Sequence, residues 1–333
     1  MEVTEVPEPP CPDKGLLLKV ETCSICASDL KMFRQGHRDL RYPRILGHEV
    51  VGRIVEDRSE GEWSIGERVQ IWPGDACGQC RCCGKGLDNL CPQVRILGFS
   101  LDGGFAEFMA VPEGCVARGG VNLVPSSMAS ETASLAEPLA CCVNAQHSLN
   151  LGEGDEVLII GGGPLGALHA MLARHREAEK VIIIEKEEQR RRKLPATKAD
   201  LILASEEDWE SVIISETQGR GVDAIIMATS DVAIDSHLID LLAPRGRICV
   251  FSGLPKASSL ASLDLNRLHY AEKIILGSYG CRSQDCREAL GMLARGDLEV
   301  EWLLTARIRL ESIIEGLEVT ASRKGMKVTV TNF

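Results

Sequence analysis

A glycine-rich turn between a short apolar run and a helical segment constrains the fold of this 333-residue chain more than any other feature. The run VLIIGGGPLGALHA contains Gly161, Gly163 and Gly166 at the spacing G-x-G-x-x-G. Glycines at these positions permit a tight turn, let backbone N–H groups approach a pyrophosphate and allow the helix to pack closely on the strand. The motif therefore predicts a dinucleotide-binding turn, which also includes Pro164 and Leu165.

An acidic residue follows this turn at the distance that dinucleotide sites use. The apolar run VIIIE ends in Glu185, nineteen residues beyond Gly166. A carboxylate there can accept hydrogen bonds from both ribose hydroxyls of NAD, but it repels the 2′-phosphate of NADP. Lys186, Arg190 and Arg191 are the counterargument, because they could turn toward a phosphate. We expect NAD to be preferred over NADP.

The chain changes its pattern twice. Between residues 126 and 273, a long helical run precedes short apolar strands that alternate with helices, which is typical of a parallel sheet. Residues 1–125 instead form short strands broken by Pro and Gly, and a mixed pattern returns from 274 and ends in the strand MKVTVTNF. We therefore predict an α/β protein in which residues 126–273 form a Rossmann domain, a doubly wound parallel sheet. This domain is inserted into a β-rich domain made of 1–125 and 274–333.

Five of the chain's fourteen cysteines lie within one short segment. Four of them have the spacing C-x2-C-x2-C-x7-C, namely Cys77, Cys80, Cys83 and Cys91. Thiolates at such intervals can converge on a tetrahedral zinc ion, and four protein ligands leave no open coordination position. We predict a closed structural zinc site, with a disulfide knot or a chance cluster as the alternatives. The fifth cysteine, Cys82, could exchange with Cys80 or Cys83.

A second set of possible metal ligands is scattered along the chain. Cys26 lies in SICASDL, His48 and Glu49 lie in ILGHEVVG, and Glu137 lies in LAEPLA. Thiolate, imidazole and carboxylate are good zinc ligands, and three protein ligands plus water define an open catalytic site. Taken singly, however, a cysteine is usually a core residue, and a His or Glu is usually a satisfied polar group.

The order of the motifs points to a known family. CSICASDL, GHEVVG, the four-cysteine loop, DGGFAEFMAVP, AEPLACCV and GGGPLG follow one another as they do in zinc-dependent medium-chain dehydrogenases/reductases. The tail LNRLHYAEKIILGSYGCRSQDCREALGMLARGDLEV is similar to the sorbitol and threonine dehydrogenase branch. The chain thus resembles this family over nearly its whole length. The resemblance implies a GroES-like catalytic domain with an inserted Rossmann domain, two zinc ions per chain and NAD.

The resemblance also implies the catalytic zinc and its chemistry. Its ligands would be Cys26, His48 and Glu137, with water or Glu49 as the fourth. Zinc held there would polarise a substrate oxygen and lower its pKa, so that hydride can pass between a secondary alcohol and the nicotinamide.

A proton relay belongs to the same expectation. Asp29 would orient His48, and Ser28 would lie beside the substrate oxygen as the first member of the relay. Many relatives have a histidine three residues after that Ser or Thr, whereas this chain has Lys31. We therefore expect either Lys31 or His37 to complete the relay, and a lysine can do so only if its pKa is depressed.

The expected substrate is a small alcohol or carbonyl compound: a polyol, a sugar alcohol or a hydroxy amino acid. Two alternatives stay open, a biosynthetic carbonyl reductase of the same family and a catalytically silent zinc- and nucleotide-binding homologue. We also expect a homodimer or a homotetramer.

Charge and hydropathy exclude other classes of protein. The formal net charge of −11 argues against a general nucleic-acid binder, which needs a basic surface. The longest apolar runs, such as 157–160 and 181–184, are far too short to span a bilayer, and MEVTEVPEPPCPDKG lacks a signal-peptide core. We expect a cytoplasmic protein whose cysteines stay reduced or metal-bound.

Overall fold

The computed structural model describes residues 2–61, 63–232, 234–254 and 259–333. The chain divides into two compact units. The first contains Met1–Cys141 and Gly280–Phe333, and the second contains Cys142–Tyr279. Both divisions fall later in the chain than the sequence predicts, since the predicted boundaries follow residues 125 and 273.

The first unit begins with seven strands. They are β1 (Leu16–Ile25), β2 (Glu49–Asp57), β3 (Arg68–Ile71), β4 (Gly74–Asp75), β5 (Arg95–Ile96), β6 (Phe108–Val111) and β7 (Val121–Leu123). Strand β1 pairs antiparallel with both β2 and β6, and nearly all of its residues are buried. Strands β4 and β5 precede and follow the cysteine loop in the sequence, and they pair with each other in a separate two-stranded sheet. The main sheet is therefore organised around β1.

Four helices accompany these strands. They are α1 (Ala27–Gln35), α2 (Glu113–Ala117), α3 (Ser130–Ser134) and α4 (Ala136–Leu149), of which residues 142–149 belong to the second unit. Helix α3 packs on β1 and β2, and Ser134 Oγ lies 2.7 Å from Ser24 Oγ in a buried hydrogen bond. These contacts explain why the first unit extends past residue 125. The single helix predicted over this region is two helices, with Leu135 between them.

The second unit is a six-stranded parallel sheet with intervening helices. Its elements are β8 (Glu156–Ile160), α5 (Pro164–His175), β9 (Lys180–Glu185), α6 (Glu188–Arg191), β10 (Leu201–Ala204), α7 (Trp209–Glu216), β11 (Val222–Met227), α8 (Ser236–Asp240), β12 (Leu242–Val250), α9 (Leu265–His269) and β13 (Ile274–Gly277). The strand order β10-β9-β8-β11-β12-β13 confirms the predicted doubly wound sheet. Residues 157–160 of β8 and 181–184 of β9 are all apolar and buried, as expected where helices cover both faces of such a sheet.

Strand β13 explains the later second boundary. It pairs with β12 at the edge of the parallel sheet, although its residues are half-buried or exposed. Its apolar run is short and follows residue 273, so the sequence analysis places it in the segment 274–333 instead of the Rossmann domain.

The last segment returns to the first sheet. It contains α10 (Ser283–Arg295), β14 (Leu304–Arg309), α11 (Ile313–Ser322) and β15 (Lys327–Asn332). Strand β15 pairs antiparallel with β1 and parallel with β14. Among the described residues, no helix combines the length and the apolar character needed to cross a membrane.

Candidate active site

The register of β1 and β2 brings the scattered metal ligands together. Cys26 directly follows β1, His48 directly precedes β2, and Glu49 pairs with the β1 residue two positions before Cys26. The ligand atoms of Cys26, His48 and Glu49 lie within 4.8 Å of one another. Glu49 is fully buried and His48 nearly so, whereas Cys26 is half-buried. Three of the predicted ligands thus form one cluster.

Asp29 and Ser28 lie on opposite sides of the His48 ring. Asp29 Oδ1 approaches His48 Nδ1 to 3.3 Å, and its other carboxylate oxygen accepts a hydrogen bond from the Cys26 backbone N–H at 2.8 Å. Ser28 Oγ lies 3.4 Å from His48 Nε2. Burial by itself lowers the pKa of His48, but the Asp29 carboxylate and the Cys26 side chain outweigh it and raise that pKa well above its usual value. Asp29 therefore holds the ring with its Nε2 edge toward Ser28.

Lys327 belongs to this cluster, although the sequence analysis missed it. It opens β15, where the next residue pairs with the last residue of β1, so its side chain reaches the same end of the sheet. Lys327 Nζ donates a buried hydrogen bond to Glu49 Oε1 at 2.5 Å. Burial raises the pKa of Glu49 to about 7, while the Lys327 charge opposes that rise. The apolar alternation of MKVTVTNF was the only available signal, and it cannot distinguish a buried lysine from one at a strand end.

Glu137 faces two cysteines that the sequence analysis did not select. Its Oε1 lies 3.7 Å from Cys141 Sγ and 3.9 Å from Cys281 Sγ. The ligand atoms of these three residues lie within 4.8 Å of one another. Burial raises the pKa of Glu137, whereas the charge of His48 lowers it. The structure therefore groups Glu137 with two thiols rather than with the three ligands at the end of β1.

The two relay candidates differ in their surroundings. Lys31 is exposed on α1 and, in the described part of the chain, makes no hydrogen bond to Ser28. His37 is half-buried, and its ring lies edge-on to Phe99 with centroids 5.3 Å apart. Phe99 contacts the ring of His48 at the same centroid distance, 5.3 Å. Burial lowers the pKa of His37, and Asp39 opposes that change.

The four cysteines of the loop converge. The sulfur atoms of Cys77 and Cys91 are 3.5 Å apart, as are those of Cys80 and Cys83, and all four lie within 4.8 Å of one another. Backbone N–H groups of Gln79 and Cys80 lower the pKa of Cys77 to about 7, which favours the thiolate that metals bind.

Cys82 lies outside this set of four, and it is half-buried. A buried carboxylate anchors the loop: Asp88 accepts hydrogen bonds from the backbone N–H and the hydroxyl of Ser283, the latter at 2.6 Å. The loop is therefore tied to the first turn of α10.

The glycine turn has the geometry that its motif predicts. Gly161 has φ +103°, a conformation that side chains disfavour. A Cβ on Gly166 would lie 1.8 Å from the Gly161 carbonyl oxygen, so the helix can approach the strand only with glycine there. Helix α5 begins with Pro164, directly after Gly163. Proline lacks a backbone N–H, but the first residue of a helix has no intrahelical acceptor for one, so nothing is lost there. Leu165 follows in the first turn.

The end of β9 carries both acidic and basic groups. Glu185 is buried, and its Oε1 accepts a hydrogen bond from the Glu187 backbone N–H at 2.7 Å. Arg191 donates to the backbone carbonyls of Glu185 and Lys186, at 2.8 and 2.5 Å. The guanidinium of Arg190 lies against the glycine turn, 3.2 Å from the position of a Cβ on Gly163.

The donor atoms fit zinc in two places. Thiolate sulfur, imidazole nitrogen and carboxylate oxygen at the end of β1 are zinc ligands, and four sulfurs in the loop match a closed structural site. At the end of β1, Glu49 Oε2 is buried and has no hydrogen-bond partner among the described residues. A buried carboxylate oxygen in that state is available to a cation.

Two protein families match the chain. Residues 12–120 match the alcohol dehydrogenase GroES-like domain, and residues 164–295 match the zinc-binding dehydrogenase family. The first match confirms the expected GroES-like domain.

Similar proteins cover the chain almost completely. An uncharacterized zinc-type alcohol dehydrogenase-like protein of Haemophilus influenzae is 31% identical over 93% of this chain and 89% of its own length. The L-galactonate-5-dehydrogenase of Escherichia coli K12 is 28% identical over 98% of this chain and 94% of its own. The crystal structure of a protein described as a zinc-binding dehydrogenase from Sinorhizobium meliloti 1021, bound to NADP, has a TM-score of 0.90 and 28% identity over 99% of this chain and 95% of that one. These findings support zinc and a nicotinamide cofactor, and the chain belongs to the zinc-dependent medium-chain dehydrogenase family.

Proposed function

We propose that this protein transfers hydride between the secondary alcohol group of a small molecule and NAD, with zinc bound at the end of β1. The observation that carries the proposal is the convergence of Cys26, His48 and Glu49 within 4.8 Å. A sulfur, a nitrogen and an oxygen donor with no further ligand in their set make an open site, in contrast to the four sulfurs of the loop.

The surrounding residues support this chemistry. Zinc bound there would polarise the substrate oxygen and lower its pKa. Asp29 fixes the orientation of His48, so that Nε2 is the nitrogen available to a metal. Ser28 lies beside that nitrogen and can take the hydroxyl proton of the substrate into the relay. Lys327 compensates the charge of Glu49 in a buried environment.

Glu137 is the remaining ligand candidate. Its carboxylate is buried in the same unit, and His48 is close enough to lower its pKa. We propose that Glu137 turns away from the two thiols and joins Cys26 and His48, with water or Glu49 as the fourth ligand. The position held by water or Glu49 is then the one that opens to the substrate.

The substrate proposal follows the family. The relative from E. coli carries galactonate in its name, a sugar acid with several hydroxyl groups. We therefore propose a polyol, a sugar alcohol or a hydroxy amino acid as the substrate. The first test is a screen of such compounds for formation of NADH by the zinc-loaded protein. Turnover of at least one compound is expected, and no turnover by metal-replete protein would leave only a binding protein.

Cofactor choice rests on Glu185. Its buried carboxylate lies at the end of β9, where it can accept hydrogen bonds from a free ribose and repel a 2′-phosphate. Arg191 supports NAD as well, because it is bonded to backbone carbonyls. Arg190 and the NADP complex of the Sinorhizobium protein are the counterargument. We weigh the acid more heavily and propose NAD.

We also propose two zinc ions per chain, one at the end of β1 and one in the cysteine loop. Each of these two sites would contribute one equivalent in metal analysis of the purified protein.

A homodimer or homotetramer is supported by the edge of the parallel sheet. Strand β13 leaves one backbone edge unpaired in the described sheet, and Ile274, Tyr270 and Leu265 are exposed nearby in the sequence. A second copy could continue the sheet there and cover these side chains. Light scattering should report at least twice the chain mass. Ile274→Lys should reduce that mass, whereas Leu123→Lys, at an exposed position in β7, should not.

A further inference from the structure

Three thiols beside the proposed catalytic site are not used by its chemistry. Cys141 and Cys281 direct their sulfur atoms at the same oxygen of Glu137, at 3.7 and 3.9 Å. Cys286 adds a third thiol, whose sulfur lies 3.6 Å from that of Cys281. Cys281 and Cys286 are buried and Cys141 is half-buried. Such a concentration of sulfur around one carboxylate requires an explanation.

The spacing of these atoms is that of a metal cage. For zinc, with Zn–S near 2.3 Å and Zn–O near 2.0 Å, the edges of a tetrahedron are about 3.8 Å between sulfurs and about 3.5 Å between sulfur and oxygen. The two sulfur–oxygen distances to Glu137 are close to that value, and all three ligand atoms lie within 4.8 Å of one another. The cysteine loop, with sulfur–sulfur distances of 3.5 Å, provides a comparison within the same unit.

We propose that Cys141, Cys281 and Glu137 form a third metal site, which binds a thiophilic divalent cation such as Zn²⁺. Two sulfurs and one carboxylate oxygen favour zinc or cadmium over magnesium or calcium, which prefer oxygen. Binding is balanced by proton release: each thiol gives up its proton to solvent as its sulfur bonds to the metal, so two protons leave for each cation bound.

The site goes beyond the proposed function and shares Glu137 with it. A carboxylate that ligates a cation between Cys141 and Cys281 is withheld from the ligands at the end of β1, or it bridges the two positions. The alternative without a metal is that two neutral thiols donate weak hydrogen bonds to Glu137. The metal site and the hydrogen-bonded thiols predict different numbers of thiolate ligands on a bound metal.

Cadmium-113 NMR of the full-length protein loaded with Cd²⁺ separates them, because the chemical shift reports the number of sulfur ligands. The wild-type protein should give three resonances: one from four thiolates in the loop, one from the single thiolate of Cys26, and one intermediate resonance from Cys141 and Cys281. Cys281→Ser should remove the intermediate resonance. Cys141→Ser should do the same at a half-buried position, where serine is more easily accommodated.

Cys115→Ser is the matched control. Cys115 is fully buried in the same unit, but its sulfur donates to the Trp72 carbonyl oxygen at 3.2 Å and lies outside all three ligand sets. This variant should keep all three resonances, and the four-thiolate resonance reports in every variant that the loop has folded.

The proposal is overturned if the wild-type protein gives no intermediate resonance, or if that resonance persists in both Cys281→Ser and Cys141→Ser. Failure of the proposed dehydrogenase function has a separate signature. It would appear as absence of turnover in the substrate screen, whatever the NMR spectrum contains.

Discussion

Two of the candidate zinc sites in the first unit, the cysteine loop and the site at the end of β1, are assembled in opposite ways. The cysteine loop draws all four of its ligands from one short segment, between Cys77 and Cys91. The site at the end of β1 draws its ligands from the end of one strand and the beginning of another, and β15 supplies the lysine that neutralises one of them. The spacing of residues along the chain determines the loop site, whereas the pairing of the strands determines the site at the end of β1.

This difference has energetic consequences. A closed site made from a local loop mainly fixes that loop, so metal binding there contributes directly to folding. The proposed open site lies at the end of a sheet that hydrogen bonds and apolar burial already hold, so we expect a metal there to be needed for chemistry more than for the fold. It also carries a buried ion pair between Glu49 and Lys327, whose members are costly to separate.

The largest expected effect comes from removing one sulfur ligand from each site. Cys26→Ser should abolish turnover and leave the melting temperature nearly unchanged, because only the open site loses its metal. Cys91→Ser should lower the melting temperature, because the loop loses a ligand of its closed site. Metal analysis, turnover and thermal unfolding of the two variants check this expectation. Equal loss of activity with unchanged melting temperatures in both would contradict the division of roles.

The next largest effect concerns the buried ion pair between Lys327 and Glu49 at the end of β1. Lys327→Met leaves Glu49 buried beside no cation, which should cost about 3–5 kcal/mol of unfolding free energy near neutral pH. Lys327→Arg keeps the charge and should cost less. The measurement is denaturant unfolding after a chelator has removed metal from the site at the end of β1, so that no zinc replaces the lost charge.

A double variant tests the cause of that loss. Glu49→Gln combined with Lys327→Met removes both charges and should recover part of the stability. No recovery would indicate that packing around the lysine stem, rather than the unpaired carboxylate, accounts for the loss.

The same contrast explains which features could be predicted from the sequence. The loop cysteines and the glycine turn depend on spacing along the chain, so the residues themselves specify the geometry. Lys327 and Cys281 could not be found in this way, because they reach their partners only through β15 and the segment before α10. Strand β13 was assigned to the tail for a related reason: its apolar run is short, and only its pairing with β12 places it in the parallel sheet.

A smaller effect is expected from the residue behind His48. Asp29→Asn keeps the size of the side chain but weakens its hold on His48 Nδ1, and such changes typically cost about 10–100-fold in metal affinity or activity. Competition with a chelator measures the affinity of the open site. Asp88→Asn is the matched control, since Asp88 is also buried but supports the loop through Ser283. It should leave the metal affinity of the open site unchanged, and a loss equal to that of Asp29→Asn would show a general effect of charge removal.

The glycine turn is a second site whose residues are close together in the sequence. A substitution of Glu185 tests whether this residue determines the choice between NAD and NADP. Glu185→Ser should remove the hydrogen bonds to the ribose and the repulsion of a 2′-phosphate, and Arg190 lies close by. The ratio of kcat/KM for NAD to that for NADP should fall by about tenfold or more, since a hydrogen bond to a charged group is worth about 1.5–3 kcal/mol. A wild-type preference for NADP would instead show that the basic residues determine the choice.

The smallest expected effect is that of replacing Lys31, one of the two relay candidates. General acid–base catalysis typically contributes about 10²–10⁴-fold to a rate, so the residue that completes the relay from Ser28 should be revealed by its removal. Lys31 is exposed and makes no hydrogen bond to Ser28 among the described residues, whereas His37 packs on Phe99, which also contacts His48. We therefore expect Lys31→Ala to leave the pH–rate profile nearly unchanged and His37→Gln to depress the rate most at low pH. If Lys31→Ala alone depresses the rate at low pH, and added small amines restore it, the relay runs through the lysine, as its place three residues after Ser28 predicts.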